Sequence, residues 1–160
     1  NTHAHQLAAS LIFYSPLQTI FWYDRPSFYQ GEPEIEWFEH LQTVFDDSKV
    51  LSGEPGKGIV IARRKGEEWF VAAMTNNEGS QQTVDLSFLD KGKPYLAYIY
   101  TDGGEEVKTR THVRCTYLLV DASQRLHFTL QPRGGAAIRL VPATGEETGK
   151  YKKYRKNMKL

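Results

Sequence analysis

The chain has 160 residues, enough for one domain or for one small domain joined to part of another. At 40% hydrophobic and 12% aromatic it has the makings of a core, which excludes an extended disordered chain. The net charge of +1 is uneven: six of the 20 basic residues fall in 144–160 beside Glu146 and Glu147, leaving 14 basic against 17 acidic residues, about −3, in the body, which excludes nucleic-acid binding by overall charge.

Residues 1–23 predict helix, with Thr2 as N-cap and Leu7, Leu11, Tyr14, Leu17 and Phe21 at helical spacing. Pro16 predicts a kink, or two helices meeting, at Ser15-Pro16. Ala4, Ala8, Ile12, Phe13, Ile20 and Trp22 make the other faces apolar too, and no charged residue other than histidine precedes Asp24. Such a helix needs cover on several sides. The run is too short and too interrupted for a membrane span of roughly 20 apolar residues. Burial against a second, larger domain upstream accounts for it best, with cover by its own small domain as the other reading. The segment is therefore expected to be separable from the rest of the chain and, when left alone, either to pair between copies or to stay mobile and sticky. Any targeting segment is expected upstream of Asn1.

Residues 24–43 form a connector. Pro33 opens a predicted helix reaching Leu41, with Ile35, Phe38 and Leu41 as its inner stripe. From about residue 48 the apolar period becomes two. Predicted strands cover 50–51, 58–64, 68–75, 83–88, 95–100, 111–119, 126–130 and 136–141, separated by turn signals at Gly66, Asn76-Asn77, Lys91-Gly92, Gly103-Gly104 and Gly134-Gly135. Alternation is clear at Val84, Leu86 and Phe88, and again at Leu126, Phe128 and Leu130. Eight short strands without interleaved helices predict a mainly β fold, an antiparallel β-sandwich after an α-helical lead-in. The expected organisation is 1–43 as helical segment and connector, 44–142 as sandwich, and 143–160 as a basic, flexible tail.

No residue set in this chain predicts catalysis. The acidic groups Glu34/Glu36/Glu39, Asp46/Asp47, Glu67/Glu68 and Glu105/Glu106 are local sets, expected to be solvated at turns or split between strand faces, whereas a glycosidase holds two carboxylates across a sugar. His3, His5, His40, His112 and His127 show no paired ligand spacing. The lone Cys115 rules out an internal disulfide and reads as a small strand hydrophobe. Trp69, Tyr95, Tyr98 and Tyr100 are the candidates for stacking on a sugar, although core packing is the ordinary use of such strand positions. The Lys-rich tail could meet an anionic surface, but such termini are usually just solvated.

Several runs resemble the C-terminal end of glycoside hydrolase family 97, a family of α-glucosidases and α-galactosidases. They are 2–8 (THAHQLA), 14–18 (YSPLQ), 50–53 (VLSG), 59–66 (IVIARRKG), 69–75 (WFVAAMT), 86–89 (LSFL), 97–103 (AYIYTDG) and 134–141, in order over about 1–142. The resemblance implies that the lead-in ends a (β/α)8 barrel and that the β-domain is the family's non-catalytic C-terminal sandwich. That module would brace the barrel and take part in self-association, with partners in the upstream barrel and in a second copy through the apolar segment 7–23. It implies further that catalytic carboxylates and calcium-binding glutamates lie upstream, so no catalytic, cofactor-binding or metal residue is carried over here. The same resemblance places the parent in the periplasm or outside a bacterium. A carbohydrate-binding sandwich is the alternative.

Overall fold

Thr2 sets the start of the first helix: its hydroxyl accepts a hydrogen bond from the His5 N–H at 3.0 Å, filling one of the donors a helix start leaves open. In the computed structural model, which describes residues 1–23 and 25–160, α1 spans His3–Ile12 and stops there. The predicted helix to residue 23 is therefore corrected. Pro16 has no N–H to give, its ring would strike the Ile12 carbonyl, and it bars Ser15 from helical geometry. Beyond Ile12 the chain runs irregularly, and apolar residues that would have lined a helix end up on the surface.

The connector holds two short 3-10 turns, Pro26–Phe28 and Pro33–Ile35, the second leading into α2, Glu36–His40. Eight strands follow: β1 Asp47–Glu54, β2 Gly58–Lys65, β3 Glu68–Thr75, β4 Ser80–Asp85, β5 Tyr95–Asp102, β6 Val113–Val120, β7 Arg125–Leu130 and β8 Gly135–Pro142. All pairings between them are antiparallel. Six strands form one sheet in the order β1-β2-β3-β8-β5-β6, and β4 and β7 form a ribbon facing it. Gly66, at φ +57°, makes the two-residue turn between β2 and β3, where Lys65 pairs with Glu68. β1 is longer than its apolar residues suggest because it is an exposed edge held by ladder bonds, with a bulge between Val50 and Ser52. β4 ends before Leu86 and Phe88: the Leu86 N–H bonds to the Gln124 carbonyl at 3.0 Å, and the chain then turns on Leu86 and Leu89.

The large sheet is covered on both faces. Between it and the ribbon lie Val60, Ala62, Trp69, Val71, Ala73, Ile99, Ile138 and Leu140 of the sheet and Val84, Leu126, Phe128 and Leu130 of the ribbon. On the outer face, α1 sets Ala4, Leu7, Ala8 and Leu11 against Phe70, Ala72, Tyr100 and Ala137, with Trp37 of α2 alongside. β3 thus buries both faces, which is why residues 69–74 read as an unbroken apolar run rather than an alternation. Gly135 permits the close approach of α1: a Cβ there would lie 2.7 Å from His5 Cα and 2.9 Å from the Ala4 carbonyl oxygen. The lead-in helix is accordingly a lid on one face of the sheet, packed as part of its outer cluster.

The expectation of a fraying tail is corrected as well. Thr144 and Glu147 form a reciprocal capping box that starts α3, Gly145–Lys150. The segment after it bonds to the β6 edge, with Leu119 N–H to the Lys152 carbonyl and Tyr154 N–H to the Leu119 carbonyl, both at 2.9 Å. Tyr154 and Leu160 are buried in the core between sheet and ribbon. The basic side chains point to water while widely spaced apolar residues anchor the backbone.

Candidate interaction surface

The four candidate sugar-stacking aromatics do not form a solvent-facing row. Trp69 is only 5% exposed and packs on Phe88 at 4.7 Å between ring centroids. Tyr95 is buried, its hydroxyl donating to Asp90 at 3.2 Å. Tyr100 is buried on the opposite face, and its hydroxyl donates to Glu36 at 2.7 Å. Tyr98 is half-buried beneath the Arg139 guanidinium and meets Tyr117 edge-on. A flat platform for a pyranose ring requires neighbouring exposed rings on one face, and these four are split between faces and packed.

The carboxylates are engaged one by one. Asp46 accepts from the Gly66 N–H at 2.8 Å and from Lys65 at 3.1 Å, interactions that hold it below the usual range. Glu68 takes the Arg139 guanidinium through two hydrogen bonds, 2.8 and 3.1 Å, the fork geometry that makes such pairs specific. Glu67 pairs with Lys93, and Glu106 with Arg114, which brings Glu106 down to about 2. The expectation that every acidic set is solvated fails at two residues. Glu34 is wholly buried and accepts from the Thr111 hydroxyl, and Glu36 is shared by Tyr100 and by Tyr117, the latter at 3.0 Å. Their spacing gave no signal, since either a helical stripe through Ile35, Phe38 and Leu41 or the alternation of Glu34, Ile35, Glu36 and Trp37 puts both carboxylates away from the apolar side.

Asp102, at the end of β5, was not singled out by sequence reasoning. Its Oδ2 accepts from the Gln131 and Gly135 N–H groups at 3.1 Å each, pinning the β7–β8 turn. Burial nonetheless raises its proton affinity. Cys115 is half-buried, and burial pushes its thiol up to about 12. His5 Nδ1 lies 3.2 Å from the Gly134 carbonyl oxygen, and His127 Nδ1 lies 3.0 Å from the Thr83 hydroxyl, so both rings hold structure together. Among the described residues no three His, Cys, Asp or Glu side chains converge as metal ligands. No helix among them is long and apolar enough to cross a membrane.

What the surface does present is apolar. Phe13 is 69%, Leu17 86% and Phe21 81% exposed, with Tyr29 and Ile20 less so. Phe13 also borders an open groove of about 550 Å³ against Pro55, Ile59 and Met74, at the end of the β1–β2 hairpin. Val50 and Val44 add exposed apolar side chains on and next to the edge strand. Phe13, Leu17 and Phe21 thus place three large apolar side chains in water within one short segment. A second cleft of about 620 Å³ lies between Lys91, Pro94, Ser123, Thr148 and Lys153. At its rim, Asp121 and Gln124 are spent on the β6–β7 turn and on Tyr154.

Residues 44–141 match the family model described as glycosyl-hydrolase 97 C-terminal, oligomerisation. The chain is 36% identical over 140 residues to a retaining alpha-galactosidase of Bacteroides thetaiotaomicron, a match covering 87% of this chain and 21% of that protein. It is 27% identical over 101 residues to a probable retaining alpha-galactosidase of Streptomyces bingchenggensis, covering 62% of this chain and 15% of that protein. Among solved structures it resembles a glycoside hydrolase family 97 enzyme from Pseudoalteromonas sp. in complex with acarbose, with a TM-score of 0.79 and 32% identity. That match covers 90% of this chain and 23% of the enzyme. The chain therefore spans about a fifth of the length of the relatives it matches.

Proposed function

We propose that this chain, which belongs to the glycosyl-hydrolase 97 C-terminal, oligomerisation family, braces the catalytic domain of a longer α-glycosidase and takes part in its self-association. The observation that carries this reading is the exposed apolar run of Phe13, Leu17 and Phe21 directly after α1. Burying side chains of this kind is worth roughly 1.5–3 kcal/mol each, a gain left unused unless other protein covers them. Both curated relatives being α-galactosidases favours an α-galactoside as the parent's substrate, with α-glucosides as the competing class. Calcium, which the family resemblance assigns to residues upstream, has no converging donor set among the described residues. The same family resemblance is what supports a periplasmic or extracellular parent. The carbohydrate-binding alternative loses its support with Trp69, Tyr95 and Tyr100 buried.

The test replaces Leu17 and Phe21 with Ser together. The unsubstituted chain should bind an apolar dye and associate with rising concentration by light scattering, and the double variant should do both far less. A monodisperse, dye-silent chain that the substitutions leave unchanged would remove the reading. Nitrophenyl α-galactosides and α-glucosides should not turn over on this chain, with or without calcium.

A further inference from the structure

Glu34 is the one carboxyl with no exposure at all among the described residues, and it joins two parts of the chain far apart in sequence. Its Oε1 accepts from the Thr111 hydroxyl, on the loop before β6, while its Oε2 has no partner among them. Two residues earlier, Glu32 is also buried, and its side chain accepts from the Gln30 N–H at 2.8 Å. A charged carboxylate is costly in such a place unless its oxygens are paired. Two neighbouring carboxylates resist ionising together. The groups facing Glu34 supply no counter-charge. These are Glu32 of the connector, Tyr23 just before it and Cys115 of β6, while Glu36 with Tyr100 and Tyr117 forms an adjoining group around Cys115. Arg110 acts on Glu32 and stacks over Phe28 at 4.0 Å, and His112 faces His3. No ion pair reaches Glu34 among the described residues.

We propose that Glu34 is a proton-operated latch, seated under Thr111 while neutral and expelled toward water when it ionises, so that the connector comes free of the β5–β6 loop. It is expelled because a wholly buried charge with one unpaired oxygen costs more than the stronger bond it would then take from the Thr111 hydroxyl. Burial raises the Glu34 pKa, the Thr111 hydrogen bond works against that rise, and Glu32 adds to it. Burial also opposes charge on Glu32, but the Gln30 N–H and its other hydrogen bonds bring Glu32 net below its ordinary value. The environments thus push the two apart, leaving Glu32 charged and Glu34 neutral. With the folded value of Glu34 above the unfolded one, the latch is fully present below the ordinary glutamate range and is lost as pH rises through the raised value. Its release loosens the segment that carries Phe21 and Tyr29, so docking of the connector becomes pH-dependent. The latch itself stands on contacts within this chain and does not need the parent enzyme to be an α-glycosidase.

Hydrogen exchange of the Tyr29 and Ile35 amides, which bond to the Pro26 and Glu32 carbonyls, reads the connector directly. Comparing the 160-residue chain with Glu34→Gln at each pH cancels the intrinsic pH dependence of exchange. The ratio of rates should be near one at acid pH and climb by up to about tenfold per pH unit once Glu34 ionises, with sheet amides such as that of Ile138 unchanged. A ratio flat from acid pH to pH 8 overturns the latch. Should the variant fail to fold, a carbon-13 titration of the unsubstituted chain decides. The Glu34 carboxyl must titrate above the ordinary range together with a change at the Trp22 indole, which meets Tyr23, a neighbour of Glu34, edge-on. An ordinary titration, or a raised one without the Trp22 change, overturns the proposal.

Discussion

Replacing Leu7 with Ala tests whether α1 is part of the sheet's core. Leu7 is fully buried on the middle of α1, in one cluster with Phe70, Ala72, Tyr100 and Ala137. The site cannot collapse easily. Gly135 already holds the helix at backbone contact with β8, and the Ser10 hydroxyl bridges the Leu7 carbonyl at 2.6 Å to the Trp37 indole N–H at 3.0 Å. Truncations of this kind cost about 2–5 kcal/mol, more where the cavity persists. Ala's slightly better helix propensity returns only a few tenths. We expect a loss of about 3 kcal/mol, a large part of the roughly 5–15 kcal/mol typical of a domain. That corresponds to a fall in Tm of about 6–12 °C for a chain of this size. Urea denaturation followed by far-ultraviolet circular dichroism and tryptophan fluorescence measures it, because Trp37 reports the outer cluster and Trp69 the inner one. Both probes should shift together with m unchanged. A loss below about 1 kcal/mol, or a Trp69 transition that stays put, would refute the packing of α1 onto this sheet.

Three other outcomes rest on single contacts. Tyr154→Ala removes a buried ring and the hydroxyl that accepts from the His127 N–H at 3.3 Å. It should cost about 3 kcal/mol in a melt, and a neutral result would mean that the tail does fray. Asp102→Ala leaves the Gln131 and Gly135 N–H groups without their acceptor. We expect a loss of about 2–3 kcal/mol by urea titration, whereas a cost of a few tenths would show the turn to be held by other bonds. Cys115, its thiol pushed up to about 12, should alkylate with iodoacetamide at pH 8 far more slowly than after unfolding in urea. Equal rates would place it outside the β5–β6 pair.

The strands were legible because their cause is local. Alternation at Leu126, Phe128 and Leu130, the β-branched and aromatic run through β2 and β3, and Gly66 between them specify hairpins without reference to the rest of the chain. The end of α1 was open to the same reading: Pro16 forbids helix around it, whatever apolar period surrounds it. Other features were decided by contacts between segments distant in sequence. Nothing near β8 tells it to insert between β3 and β5, and nothing near Gly135 tells that α1 will rest against it. Periodicity records how many faces of a segment are apolar, not which distant segment covers them. The apolar period of the lead-in therefore told that it needs cover on several sides, and only the tertiary structure showed that this sheet covers α1 on one of them. Tyr154 and Leu160, isolated in a basic tail, carry no period, and Glu34 and Glu36 look like surface charge. Their burial exists only because α3 returns to the β6 edge and because Thr111, Tyr100 and Tyr117 bring hydroxyls to the carboxyls once the sheet has formed.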